Sequence, residues 1–519
     1  MRGSIYDHEK NVLAQNVTSY TLIAYLDENR STKNKLNHVK DIDGTAKALA
    51  EILEADYEDI KERLEKGRDS KKYQVELGQA GKNITEMKKS EIEKLNLSGI
   101  DFIEKYKRFY PNGDFASYIL GYAKTNEKKD SSGKMSEVIE GELGVEAKFD
   151  DVLKGTDGYL QYQRDRFGYK IPDTKEIRIE AINGSDVYLT LDASIQRFAE
   201  TEVKNIEEKY SPEWSIITVM DAKTGDVLAA ASTPSFNPNT RDIESYENPF
   251  VARTFEPGST MKIYTYMCAI EKGTYDGNAT FKSGSITIED ATIKDWNNTG
   301  FGTISFDKGF EYSSNVGVSH MFGKFINKND LRDCLTKYGF GKITGVDLSG
   351  EVSGKLGFKY PVEVANAGFG QGITTTAFQH LQALSIIANN GKPLTPHIVS
   401  KIVNTNNGKT TYKRKVEEGE VVASQKTINK IKSLMYNVVN SDDPLATGKR
   451  YQVEGFDIIG KTGTAQIASQ HGGYLKGDSA YVYSFAGMYP KDNPEVIIYA
   501  AVKRPNVGAT VVISEPVVS

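Results

Sequence analysis

The sequence predicts an α+β protein in two unequal parts. A polar, segmented stretch runs to about residue 183, and a longer portion follows with a largely antiparallel sheet and helices packed on it. Three observations carry this. The texture changes near Gly184, where Val187-Tyr188-Leu189-Thr190-Leu191 reads as a strand. Residues 215–220 and 226–230 form two apolar, partly β-branched arms around a turn at 221–225, which is a hairpin. Near the end, residues 480–488 and 495–503 are strand-like and flank Pro490-Lys491-Asp492-Asn493-Pro494.

Taken in order, the first part opens with alternating stretches over 12–27, such as Tyr20-Thr21-Leu22-Ile23-Ala24. Leu49, Ile52, Leu53, Ile60 and Leu64 fall near helical spacing, predicting one helix over 46–65, and a second is expected over 84–97. Residues 126–140 are rich in Lys, Asp, Ser and Gly and read as a surface loop. A helical pattern returns over 141–153 and stops at Gly155. In the second part, Asp192 offers an N-cap for a helix through Lys209. The division is therefore placed as 1–183 and 184–519.

Composition narrows the class. The 519 residues leave room for about three domains at roughly 150 each. With 39% hydrophobic and 26% charged residues, the chain is neither disordered nor collagen-like. Lys+Arg 65 against Asp+Glu 70 gives −5, which offers no footprint for nucleic acid. No apolar run reaches the roughly 20 residues that span a bilayer, and residues 497–502 read as a buried strand. The start, Met1-Arg2-Gly3-Ser4-Ile5-Tyr6-Asp7, is polar and is not a signal peptide. A soluble cytosolic protein fits, and so does a chain freed of an anchor. Cys268 and Cys334 are too few for a disulfide framework or a zinc site; Cys268, in an apolar run, reads as a small buried hydrophobe, with a bridge to Cys334 as the lesser alternative.

A catalytic base has to come from elsewhere than histidine. None of His8, His38, His320, His380, His397 and His471 lies in a nucleophile motif, and no metal or phosphate-loop pattern occurs, so no metal and no cofactor are expected. Lysine remains. In Ser-x-x-Lys at a helix start, positions i and i+3 share a face. Three stretches match: Ser131–Lys134 in the charged loop, Ser305–Lys308 in a turn-rich segment, and Ser259–Lys262. Only Ser259 follows a turn (Glu256-Pro257-Gly258) and opens an apolar helix, so N–H groups converge on it while desolvation lowers the pKa of Lys262. Lys-Ser/Thr-Gly occurs at Lys223, Lys282 and Lys461; the first two are turns, whereas Lys461-Thr462-Gly463-Thr464 lies in a strand where glycine admits a ligand backbone. Ser-x-Asn occurs at Ser235, in a Pro-rich loop, and at Ser313-Ser314-Asn315, before a helix.

Taken together, Ser259/Lys262, Ser313/Asn315 and Lys461/Thr462/Gly463 have the order Ser-x-x-Lys, Ser-x-Asn, Lys-Thr-Gly, which resembles the penicillin-recognising serine acyltransferases. Ser-Ser-Asn in the middle is the form of the class B penicillin-binding proteins. Arg2-Gly3-Ser4-Ile5-Tyr6-Asp7, Arg108-Phe109-Tyr110-Pro111-Asn112-Gly113 and Gly141-Glu142-Leu143-Gly144-Val145-Glu146 look like segments of that class's pedestal. Asp295-Trp296, Phe369-Gly370-Gln371-Gly372 and Gly473-Tyr474 resemble division-type, Gram-positive members.

The resemblance implies a five-stranded, serine β-lactamase-like transpeptidase domain on an elongated α/β pedestal. It implies peptidoglycan D,D-transpeptidation, with septal cell-wall synthesis as its setting and β-lactams as inhibitors. Ser259 would be the nucleophile, Lys262 its base, Ser313 a proton relay, Asn315 a holder of Lys262 and substrate amide, and Lys461 a second cation. Ser314, Thr462, Gly463, Thr464, Trp296 and Gln371 would contact the ligand, Thr462 and Thr464 through its carboxylate and Trp296 as an apolar wall. No counterpart of the class A β-lactamase deacylating glutamate is placed, so slow release is expected. Implied partners are a stem peptide ending in D-Ala-D-Ala, β-lactams and membrane proteins of division. No nucleic acid is expected; the membrane is reached through an N-terminal anchor, with the catalytic domain on the extracellular face. The alternatives are a D,D-carboxypeptidase, a β-lactam sensor, or a non-catalytic division scaffold.

Overall fold

The computed structural model describes residues 1–129, 135–163, 171–172, 174–297, 299–469, 472–477 and 479–506. The Ser131–Lys134 match lies outside them.

The predicted antiparallel sheet is present. Among the described residues it has five strands, in the order Val227–Thr233, Trp214–Asp221, Val496–Lys503, Tyr481–Tyr489 and Ile459–Gln466. Every neighbouring pair is antiparallel. The β-branched and small residues of the central strands are buried on both faces, as a sheet covered by helices requires. The helix Ala193–Tyr210 lies on one face, its Asp192 side chain capping Ser194 and Ile195 as the sequence predicts. The helices Lys262–Glu271, Ala377–Ala388 and Gln425–Asn440 belong to the main core. Ile459–Gln466 forms one edge, and the site is built along it.

A second sheet joins strands of the N-terminal part to strands near residue 400. Its order is Thr410–Lys413, Val399–Val403, Asp186–Leu189, Ile5–Tyr6, Val12–Tyr25 and Gln74–Glu76, with Ile100–Phe109 also paired to Val12–Tyr25. Strands from the first hundred residues thus share hydrogen bonds with strands near residue 400. The main core runs through this junction, from Ile5 and Leu13 to Tyr499 and Ala501, while Leu22, Leu49, Leu64 and Ile92 belong to a separate core in the N-terminal part.

Three expectations are corrected. The helix over 46–65 is two helices, Ile42–Leu53 and Tyr57–Asp69, because Glu54 takes φ 53° and Asp56 caps a new start. The loop over 126–140 is largely a hairpin, Ala123–Lys129 with Met135–Gly141, whose lysine and glutamate side chains pair across the strands. Cys268 is no isolated hydrophobe. It is disulfide-bonded to Cys334, with the two Cα atoms 5.8 Å apart, and ties the helix Lys262–Glu271 to the helix Lys328–Lys337. Closing a loop of sequence separation 66 removes freedom from the unfolded chain. Cys334→Ala is therefore expected to cost about 2–4 kcal/mol, read as a lower denaturant midpoint with the reduced wild type as comparison.

Candidate active site

The site begins with a glycine. Gly258 has φ 61°, and a Cβ there would lie 2.6 Å from the carbonyl oxygen of Thr464. Only a residue without a side chain lets the turn Gly258–Met261 press against the edge strand Ile459–Gln466. Ser259, partly exposed, is thereby set beside Thr464, and Lys262 follows one turn on, fully buried at the start of its helix.

Lys262 and Lys461 meet on one hydroxyl. Lys262 Nζ donates to Ser313 O (2.5 Å), Ser313 Oγ (3.2 Å) and Asn315 Oδ1 (2.8 Å). Lys461 Nζ reaches the same Ser313 Oγ at 2.9 Å and its neighbour's carbonyl, Thr462 O, at 3.0 Å. Both amines are completely buried. Desolvation pulls Lys262 down to about 7, against a smaller upward pull from Asp295. Desolvation, then the Lys262 charge, pulls Lys461 well below its ordinary value. The unfolded chain holds a proton on Lys262 that the native state lacks between about pH 7 and 10.5, so this group's contribution to stability improves as pH rises through that window.

Ser313 is aimed by strain and by its neighbours. It sits at φ 59°, between the helices Phe306–Glu311 and Asn315–Met321. Ser314 is fully buried. Its hydroxyl donates to Asp295 (2.8 Å) and accepts from Gly317 N, capping the second helix, so it lies beneath the site as scaffold. Asp295, a buried carboxylate, also accepts from Val316 N and Gly284 N. Thr462 is half-buried, Gly463 buried and Thr464 exposed on the edge strand. A Cβ on Gly463 would strike Ser484 Oγ at 2.1 Å and crowd Pro257 O at 3.0 Å, so glycine keeps the strand close to the Ser259 turn.

The outer residues are placed differently. Trp296 is 57% exposed; its indole donates to Tyr312 O at 2.9 Å, and with Phe301 and Tyr312 it makes an aromatic rim. Gln371 is nearly buried and exchanges hydrogen bonds with the backbone of Gln466, at the end of the edge strand. It also donates to Glu256, which Tyr474 binds as well; burial pushes Glu256 up to about 7. Sequence reasoning gave no role to Glu256, Asp295 or Thr447, whose hydroxyl lies 3.0 Å from that of Thr462. Glu256, in the turn before Ser259, and Asp295, in the Asp295-Trp296 pair, carried a signal, and Thr447 carried none. Ser305 is the N-cap of the helix Phe306–Glu311, a purely local use of its hydroxyl.

A family model for the penicillin binding protein transpeptidase domain matches residues 215–519, and one for the penicillin-binding protein dimerisation domain matches residues 1–189. The chain belongs to the class B penicillin-binding proteins. It is 32% identical over 516 residues to stage V sporulation protein D of Bacillus subtilis, covering 97% of this chain and 74% of that protein. It is 27% identical over 547 residues to peptidoglycan D,D-transpeptidase MrdA of Acinetobacter baumannii, covering 96% and 76%. The crystal structure of penicillin binding protein 2X from Streptococcus thermophilus matches with a TM-score of 0.81 and 32% identity, over 100% of this chain and 78% of that one. As a penicillin-binding protein with a transpeptidase domain, the chain has the enzyme class of D-Ala-D-Ala transpeptidase.

Proposed function

We propose that this penicillin-binding protein cross-links peptidoglycan through an acyl-enzyme on Ser259, with residues 1–183 as pedestal and 184–519 as the transpeptidase domain. The observation that carries the reading is the pair of buried amines converging on Ser313 Oγ behind the Ser259 turn. Two ammonium groups so close in a desolvated pocket repel, so at least one is held neutral, and a neutral amine is a base.

Lys262, one helical turn from Ser259, takes the hydroxyl proton as Oγ attacks the carbonyl carbon of the penultimate D-alanine. The backbone N–H groups of Ser259 and Thr464 receive the developing oxyanion, each worth about 10²- to 10³-fold. Ser313 passes a proton to the departing D-alanine amine as the C–N bond breaks, leaving an ester on Ser259. Asn315 holds Lys262 and the substrate amide. Lys461, Thr462 and Thr464 recognise the terminal carboxylate, Gly463 admits the peptide along the edge strand, and Trp296 and Gln371 bound the groove. The amine of a neighbouring stem peptide then attacks the ester, and Ser259 recovers its proton.

A β-lactam offers the same amide and carboxylate, so it acylates Ser259 and inhibits. We place the catalytic domain outside the cytoplasm, held to the membrane by an anchor and working with membrane proteins of septal wall synthesis. A disulfide supports the oxidising side. Among the described residues no helix is long and apolar enough to cross a membrane. Intact-mass spectrometry after incubation with penicillin tests the reading. One adduct on the peptide containing Ser259 is expected; no adduct, or an adduct elsewhere, overturns it. Cross-linked dimer rather than free acid among the products separates transpeptidase from carboxypeptidase.

A further inference from the structure

We propose that Gln371 is a strand-end stop: its side-chain amide occupies the backbone N–H and C=O of Gln466 and limits strand pairing by the donor peptide to the single residue opposite Thr464. The backbone further upstream is left unread. Glu256, outside the three motifs, is the positioning residue that holds the amide in that direction. The inference rests on the acyl-transfer reading and adds to it how much of the donor peptide the groove recognises.

In a strand the N–H and C=O of one residue face the same edge, and those of the next face the other. Gln466 N donates to Gln371 Oε1 at 3.3 Å and Gln466 O accepts from Gln371 Nε2 at 3.2 Å, so Gln466 faces the free edge of the strand Ile459–Gln466. Ile467, one further on, donates instead to Ala480 O on the side of the sheet. Thr462 and Thr464 therefore face the free edge with Gln466. Thr462 O already accepts from Lys461 Nζ at 3.0 Å. Between the lysine and the glutamine, Thr464 keeps both backbone groups open among the described residues.

A donor peptide with its carboxylate at Lys461 and Thr462 and its N-terminal side toward Gln466 runs antiparallel to this strand. Its penultimate D-alanine exchanges both hydrogen bonds with Thr464: its C=O lies at the N–H that receives the oxyanion, and its N–H lies at the C=O. The next residue able to pair is two positions upstream and meets Gln466. The Gln371 amide is already there, offering one donor and one acceptor as a peptide group does. What precedes that point is free in linkage and composition. The substrate class is any acyl-D-Ala-D-Ala end, whether or not ordinary α-peptide bonds lead up to it.

The direction of the amide is set from both sides. One Nε2 proton goes to Gln466 O and the other to Glu256, whose carboxylate also accepts from Tyr474 OH at 3.3 Å and from Gly372 N. Reversing the amide would set Gln371 Oε1 against both the Glu256 carboxylate and Gln466 O. The stop shares its support with the nucleophile. Gly258 N donates to Gly370 O at 3.0 Å, and a Cβ on Gly370 would lie 2.1 Å from Gly258 O. Two touching glycines thus fix the span from Ser259 to the stop.

The test uses two boronic acids whose boron Ser259 Oγ attacks, its proton passing to Lys262 and no group leaving. N-acetyl-D-boroalanine reaches Thr464 only; the same probe extended by two alanines reaches Gln466. Dissociation constants are measured by competition with fluorescent penicillin. In the wild type the extension is expected to change affinity less than about threefold, and in Gln371→Ala to strengthen it about tenfold, in line with two backbone hydrogen bonds. Methylating the backbone nitrogen of the outer alanine, which would donate to Gln466 O, should remove this gain. Glu256→Ala, with Gln371 kept, is expected to move the ratio at least about threefold toward that of Gln371→Ala. Each ratio is taken on one preparation, so partial misfolding leaves it unchanged. A wild type that already gains tenfold, a Gln371→Ala variant that gains no more than the wild type, or a gain that survives methylation overturns the inference. A ratio unmoved in Glu256→Ala overturns the part given to Glu256. Failure of both the short probe and penicillin to modify Ser259 overturns the acyl-transfer reading, and this inference with it.

Discussion

Ser259→Ala is expected to abolish covalent labelling by fluorescent penicillin, and Lys262→Met to slow it by about 10²- to 10⁴-fold. The second variant is the more informative. Lys262 is buried without exposure, among Ser313 and Asn315, and burial already strips it of its proton near pH 7. Replacing a desolvated amine by an apolar side chain of similar length removes a group that burial disfavours but also takes a donor from Ser313 O and Asn315 Oδ1, so Lys262→Met is expected to lose no more than about 1–3 kcal/mol of stability. A far slower protein that still folds is the signature of a residue kept for chemistry. The sign of the pH dependence follows. Acylation by the wild type rises with pH through about 7 as Lys262 becomes neutral. Glu256 titrates in the same range, so the methionine variant is the control: the rising limb should vanish in it. Labelling rates over about two pH units either side of 7 decide the matter, and a limb that survives in Lys262→Met assigns the titration elsewhere.

The largest effect on stability is expected far from the chemistry, at Glu146. Its carboxylate is 0% exposed and receives Arg2 Nε at 2.7 Å and Arg108 Nε at 2.6 Å, with Tyr110 OH at 3.2 Å. Arg2 and Arg108 are 2% exposed at the side chain. Arg108 also donates to Gly3 O, so the ion cluster pins the first residues of the chain to the long strand pair of the N-terminal part. Glu146→Gln leaves two buried guanidinium groups with Asp150, itself one-fifth exposed, as the remaining carboxylate within reach of Arg2. Breaking a buried ion pair from one side costs about 3–5 kcal/mol. Urea unfolding should show a loss of that size. A loss below about 1 kcal/mol would mean that water reaches the cluster and the burial argument fails.

The legible parts of the fold are those specified locally. Asp192 announced its helix because a cap followed by an apolar period is a short-range signal. The hairpin at 215–230 and the last two strands were legible for the same reason, and Lys461-Thr462-Gly463 could be put in a strand by its apolar flanks. The site was legible in the residues that carry motifs and silent in those that hold them. Thr447 meets Thr462 only through geometry that the folded chain creates, and Asp295, legible beside Trp296 as a motif residue, shows its contact with Ser314 only once folded. The hairpin at 123–141 was missed because its arms are charged on their exposed faces and lack the apolar alternation that marks a half-buried strand. The Cys268–Cys334 bond is only the lesser alternative in the sequence because two cysteines 66 residues apart carry no pairing information until two helices bring them together. One misplaced residue, Glu54 in a left-handed conformation, was enough to divide a periodic apolar pattern into two helices.

The sheet that joins Asp186–Leu189 to Val399–Val403 has a consequence for the nascent chain. The earlier strand leaves the ribosome with one flank satisfied by Ile5–Tyr6 and the other bare. Its partner is roughly 200 residues behind, which at about 5–20 residues per second is a delay on the order of 10–40 seconds. During that interval the bare flank can pair with any passing extended segment, its own or a neighbour's. A holding chaperone, or export before pairing, would have to cover the wait.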